Sequence, residues 1–259
     1  MKYYYLTDES EKSVAPFFAK QVLQAGMAGV VIVGAFLLVF WPRQPLAGFM
    51  LTNNSPTIFF LVCAATLIVH SYVNLCCGAG DMIRKGYHII SYKTNKPTYE
   101  MEFSFYRYGL IEFLFHTLIL LLPFLPILSL AGFISAISLI TFLMALSILF
   151  TMSLLCRMSG FLVYLFWGRS STIGYFAARA MMIFFIFATI LFAPSINPLH
   201  LLYLLNQSSN GAGYTFTAYM GAVTFAIFML IFANNALVRR HANKGKNNRS
   251  EVQGSEVQK

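Results

Sequence analysis

The chain has 259 residues, of which 58% are hydrophobic and 10% charged, with a formal net charge of +9 and a mean hydropathy of +0.67. That balance leaves no room for a large soluble domain and describes a chain whose main solvent is lipid. It also argues against nucleic acid as the partner of the positive charge, because the basic residues gather at the borders of apolar segments, where anionic headgroups attract them.

Residues 1–22 read as a cytoplasmic leader. Their charge is mixed, with Asp8, Glu9 and Glu11, and no small-residue cleavage site follows, so a retained start is expected rather than a signal peptide. From Ser10 to Gln24 the apolar positions Val14, Phe17, Phe18, Val22 and Leu23 alternate with Lys12, Lys20 and Gln21. That spacing predicts an amphipathic helix in the membrane interface, although Pro16 weakens it.

Residues 23–239 read as an all-α integral membrane domain of six crossings: Leu23 to Trp41, Thr57 to Cys77, Tyr108 to Ile127, Phe133 to Leu155, Phe176 to Ala193 and Tyr214 to Val238. Each is close to the ~20 residues that a helix needs to cross a ~30 Å hydrocarbon layer. Of the 18 lysines and arginines, all except Arg43 fall at the two termini, in the second and fourth connections or, for Arg179, at the start of the fifth crossing. Positive residues stay on the cytoplasmic side of short loops, which predicts that both termini are cytoplasmic.

The second connection, 78–107, is the longest polar stretch between crossings, and its Met82, Ile83, Ile89 and Ile90 lie beside charged residues. Such a pattern fits a short helix that docks on the membrane surface or on a partner protein. The third crossing carries Glu112, with His116 four positions later on the same helical face, close enough to share a proton or a hydrogen bond. Glu112 is about one turn from the inner border, where it can reach water or Arg107, and so reads as an anchor before it reads as a transport group. His70, near Ser71, Tyr72 and Asn74, reads as a hydrogen-bonded helix contact.

Pro123 and Pro126 are expected to end the third crossing. Ser135, Ser138, Thr141, Ser147, Thr151 and Ser153 give the fourth helix small polar positions suited to close packing. The fourth connection, 157–179, contains the apolar run Phe161 to Trp167, which looks too short to cross and is expected to lie in the interface or dip into it. After the fifth crossing, Asn197 and Pro198 suit the cap and first turn of a short outer helix, 197–205, which cannot span. Residues 240–259 are polar and expected to be a disordered cytoplasmic tail. Cys63, Cys76, Cys77 and Cys156 lack the spacing of a redox or metal motif and read as small buried residues, so no metal site is expected.

This order of elements, with Arg179 before the fifth helix and the stretch Ala193 to Leu202, resembles the membrane (permease) subunit of type-2 ABC exporters. The resemblance implies a second permease subunit, identical or related, and a cytoplasmic ATPase partner under each. It implies a coupling helix in the inner loop, with Asp81, Met82, Ile83, Arg84, Lys85 and His88 as contacts, and a pore lined by the second and fifth helices. Members with an acidic signature in this loop are not matched, since Asp81 is its only early acid. No phosphate-binding Gly-x-x-x-x-Gly-Lys-Ser/Thr loop occurs, so ATP and Mg would belong to the partner and the chain would not be an enzyme alone. The location implied is the cytoplasmic (inner) membrane, and the cargo an amphipathic, lipid-linked or drug-like molecule. Two other classes remain open: a membrane-embedded lipid-modifying enzyme built on Glu112 and His116, and a non-transporting scaffold subunit of a membrane complex.

Overall fold

The computed structural model describes residues 20–52, 55–79, 110–167, 172–207 and 212–256, with side chains placed in 24–52, 55–79, 113–167, 172–207 and 212–237. Among the described residues every regular element is helical. In chain order these are α1 (Lys20–Val39), α2 (Leu46–Phe49), α3 (Ser55–Ala79), α4 (Leu110–Leu121), α5 (Leu125–Ile134), α6 (Leu139–Trp167), α7 (Thr172–Ile183), α8 (Thr189–Phe192), α9 (Pro198–Asn206) and α10 (Ala212–Glu256). Five helical stretches are long and apolar enough to cross a membrane: Ser55–Ala79, Phe113–Ile134, Leu139–Trp167, Thr172–Phe192 and Ala212–Leu237. The described part of α1, Gln24–Val39, is a shorter apolar helix. The chain is a multi-pass membrane protein.

The core is the seam between α3 and α6. Contacts advance along both helices together, from Phe59 against Phe142, through His70 against Ser153, to Asn74 against Arg157, so the two run parallel. They approach closely because glycine faces backbone at the far end. A Cβ on Gly78 would overlap the carbonyl oxygen of Arg157, and one on Gly160 would overlap that of Leu75 and lie 2.9 Å from the Ala79 nitrogen. With little hydrophobic force between helices in lipid, such close backbone packing is a main source of cohesion.

The other long helices take their direction from this pair. Gly26, Gly29 and Gly34 of α1 face Leu120, Phe124 and Ile127 in turn, so α1 runs with α4 and α5. Tyr219 meets Thr151 and Asn234 meets Met158, so α10 runs parallel to α6. The stretch from α7 to α8 runs the opposite way, since Arg179 lies by Cys76 near the end of α3, while the helix after α8 touches Phe60 near its start through Tyr203.

Several boundaries differ from those read in the sequence. Pro123 and Pro126 do not end the apolar stretch Phe113–Ile134: a single 3-10 turn, Leu122–Phe124, leads into α5, and the chain turns only at 135–138. Proline sits in the first turn of each piece, where its missing N–H has no helical partner. The outward connection expected at 128–132 is therefore helix, and Ser135 and Ser138 belong to the turn.

Arg157 does not open an inward connection either. α6 continues through it for 29 residues to Trp167, and the run Phe161 to Trp167 is helix. The guanidinium is tolerated there because α3 and α4 supply polar partners, described below. The stretch Thr172–Phe192 contains a π-helical turn at Phe184–Ala188. α10 continues as helix to Glu256, over residues whose composition predicts disorder. Extending an existing helix needs no new nucleus, and no proline interrupts this stretch. Residues 10–19 of the expected interfacial helix and the inner loop 80–107 lie outside the described residues, and Lys20 to Gln24 open α1.

Candidate functional site

Polar side chains in a lipid-solvated bundle must find partners inside it, and seven of the sixteen buried ones among the described residues converge where the second halves of α3 and α6 meet α4. Arg157, 3% exposed, donates from Nη1 to Asn74 Oδ1 at 3.0 Å, and its Nη2 lies 3.4 Å from His116 Nδ1. Thr117 Oγ1 lies 3.2 Å from the same Asn74 oxygen and 2.7 Å from the Phe113 carbonyl. Asn74 Nδ2 donates to the His70 carbonyl at 2.9 Å, closing the amide's account on its own helix. The Phe113 ring adds an aromatic face to the cation, with its centroid 5.6 Å from the guanidinium carbon.

One turn earlier on both helices, His70 Nδ1 and Ser153 Oγ are 2.6 Å apart, and Ser71 Oγ is 3.3 Å from the same serine oxygen. His70 is fully buried, its Nε2 has no hydrogen-bond partner among the described residues, and its ring meets Phe124 edge to face at 5.8 Å. The node thus joins three helices through hydrogen bonds. Each such bond contributes roughly 0.6 kcal/mol on average in a membrane protein, up to about 1.7.

At the opposite end of the bundle Asn197 is fully buried. Its Oδ1 accepts from the His200 backbone N–H at 2.8 Å, capping α9, with Pro198 in the first turn. Its Nδ2 donates to the Ile186 carbonyl at 2.9 Å and to Thr189 Oγ1 at 2.6 Å. Ile186 lies in the π-helical turn, where the altered ladder leaves a carbonyl to be satisfied. One side chain therefore ties α9 to the irregular part of the preceding helix, and Leu201, Leu202 and Leu205 seat α9 in the core.

His70 and His116, picked out in the sequence, belong to the same node, and Arg157 and Asn74 link them. Glu112 lies on α4 one turn before His116, and its side chain is outside the described residues. Asp81, Met82, Ile83, Arg84, Lys85 and His88 are likewise outside them. Sequence reasoning missed the roles of Arg157, Asn74, Thr117 and Ser153. The available signal was Arg157 itself, a single cation with apolar runs on both sides, which can be read as one long helix as readily as a boundary. Among the described residues no three His, Cys, Asp or Glu side chains come together. The four cysteines are all buried.

No protein-family model, characterised protein or solved structure matches the chain.

Proposed function

We propose that this chain is the transmembrane permease subunit of an ATP-driven exporter of the ABC type, working as a pair of such subunits over separate cytoplasmic ATPases. In this reading α1 completes six crossings, both termini are cytoplasmic and the membrane is the cytoplasmic one. The observation that carries it is α9, an Asn-capped helix too short to span, packed back against α3 and α6 between α10 and the π-distorted stretch of α7 and α8. Irregular backbone of this sort is stable at membrane depth only against protein or a water-filled path. The alternating helix directions and the distribution of basic residues support the same reading.

ATP-driven closure of the partners would reach the helices through the inner loop, 78–107, as a rigid-body shift. The seam of α3 and α6 is suited to transmit it, since backbone contact at Gly78 and Gly160 leaves little slack. The pathway between two subunits would be lined by α3 and α7, and the cargo would be amphipathic, lipid-linked or drug-like.

The test is copurification. The tagged protein is solubilised gently from its native membrane, its companions are identified, and the experiment is repeated with Arg84→Glu and Lys85→Glu together. A stoichiometric ATPase that is lost in the variant is expected. Absence of any ATPase, under conditions that keep other membrane complexes intact, would remove the exporter reading. Turnover by the chain alone, lost in Glu112→Gln or His116→Ala, would replace it with an enzyme.

A further inference from the structure

Arg43, alone among the lysines and arginines, lies in the connection between α1 and α3. Pro42 and Pro45 on either side of it cannot extend α1, because neither has an N–H to give to the preceding turn. The chain folds instead into the short helix α2, and its backbone closes on itself. The N–H groups of Gly48, Phe49, Met50, Leu51 and Thr52 all donate to carbonyls between Pro45 and Phe49, at 2.9–3.3 Å. Water would satisfy these groups in an open loop, whereas lipid would leave them without partners.

The segment has two faces. Pro42 is buried, and the half-buried Phe49 packs on the core. Outward it shows Trp41, Leu46 and Leu51, at 37%, 38% and 88% exposure, with Arg43 exposed among them. No acidic residue lies between α1 and α3. Apolar side chains around one cation suit the headgroup layer, where the apolar groups enter the acyl boundary and the guanidinium stays with the phosphates. Arginine matches a phosphate in particular, because its planar fork presents paired N–H donors. Trp41 marks the level, since tryptophan and tyrosine gather where hydrocarbon meets water. Tyr203, against Phe60 near the start of α3, and Tyr214, near the start of α10, are exposed at the same end of the bundle. Burying a leucine side chain contributes more than one cation gains at an anionic surface, so apolar insertion sets the depth and Arg43 the choice of headgroup.

We propose that residues 41–51 form an interfacial anchor, in which Trp41, Leu46 and Leu51 enter the leaflet where α1 ends and Arg43 binds the phosphate of an anionic membrane lipid. The anchor stands without the exporter reading; only its assignment to the outer leaflet rests on that reading.

Trp41 itself is the reporter. The chain has two tryptophans, and Trp167 is 44% exposed, so Trp167→Phe leaves Trp41 alone at little loss of packing. The full-length Trp167→Phe protein is placed in vesicles of phosphatidylcholine and phosphatidylglycerol. Its fluorescence is quenched in turn by aqueous acrylamide, by lipid brominated near the carbonyls and by lipid brominated near the chain ends. Bromine near the carbonyls is expected to quench most, and acrylamide little. Strong quenching by acrylamide with little from either lipid would put the segment in water and overturn the anchor. Protection from all three would mean that protein covers it, a second copy or another partner, and would overturn it equally. Strongest quenching from the chain ends would do the same, since Arg43 would then lie below the headgroups.

The headgroup is tested by moving the bromine from phosphatidylcholine to phosphatidylglycerol at the same mole fraction. Phosphatidylglycerol should be enriched around Trp41 about fivefold, the factor associated with one interfacial cation. Arg43→Gln should abolish the enrichment and leave the depth unchanged, while Arg43→Lys should keep part of it, since the charge remains and the fork is lost. Full enrichment in Arg43→Gln would overturn the phosphate site. So would a starting protein without enrichment, a result that needs no change at Arg43. Because no ATPase takes part, this result and the copurification result fail separately: an anchored Trp41 with no copurifying ATPase keeps the anchor and removes the exporter reading, and the converse removes the anchor alone.

Discussion

Arg157 on α6 donates to Asn74 on α3 across 3.0 Å, so the only cation of the longest buried helix is held by the amide of its parallel neighbour. The same amide oxygen lies 3.2 Å from Thr117 Oγ1, which brings α4 into the contact. A buried charge that loses a partner costs more than the pair was worth, because the remaining group stays desolvated.

Asn74→Leu should therefore destabilise the bundle by about 1–3 kcal/mol. Arg157→Met, which removes the charge and keeps the volume, should cost less than the loss of a buried partner would imply. The double variant should fall short of the sum of the two single ones by about 1–2 kcal/mol, the coupling between the groups. Unfolding by titrated SDS in mixed micelles would measure all three. Strict additivity would mean that the hydrogen bond does not contribute.

The seam of α3 and α6 gives a second test that needs no polar group. Gly78→Ala and Gly160→Ala each place a methyl against backbone, which cannot rotate away, and each should cost about 3 kcal/mol, the upper end for overpacking. Gly221→Ala is the control. Nothing lies within 4 Å of its Cβ position, and alanine is the better helix former by about 1 kcal/mol, so that change should be neutral or stabilising in the same assay.

These contacts show which parts of the structure could be read from residue order. Apolar runs and a cap such as Asn197-Pro198 are local, and the sequence carries them directly. The positions of His70 and His116 inside helices were legible for the same reason. What joined them was not, because Asn74, Thr117, Ser153 and Arg157 are brought together by the register of three helices, and register depends on glycines that become informative only once their opposite backbone is known. Pro123 and Pro126 misled because a proline has the same local effect at the start of a helical piece as just beyond the end of one. Arg157 misled because charge marks a membrane border on average, whereas a single arginine can be accommodated by partners that lie far away in sequence.

Ala136 is the one non-glycine described residue with a positive φ, 51°, in the turn between α5 and α6. A Cβ in that left-handed conformation costs roughly 1–2 kcal/mol, part of which glycine gives back through the greater freedom of its unfolded chain. Ala136→Gly should raise stability by about 0.5–1 kcal/mol. Ala136→Val, with a branched side chain in the same conformation, should lower it. Thermal unfolding in detergent would show whether the two changes move in opposite directions.

Asn197 allows its two roles to be separated by chemistry. Its oxygen caps α9 at the His200 N–H, while its nitrogen donates to the Ile186 carbonyl and to Thr189 Oγ1. Asn197→Ala removes both and should cost about 2 kcal/mol, the loss of a cap plus a carbonyl left without its partner. Asn197→Asp keeps an acceptor for His200 but turns the nitrogen into a second oxygen facing the Ile186 carbonyl. If the tie to the π-helical turn matters, aspartate should protect α9 from hydrogen exchange nearly as well as asparagine does, yet leave residues 184–189 exchanging faster. If aspartate behaves as asparagine at both places, the bond to Ile186 is incidental. Equal loss of protection at both places would instead mean that α9 and the π-helical turn open as one unit, in which case the cap alone cannot hold the short helix against α3 and α6.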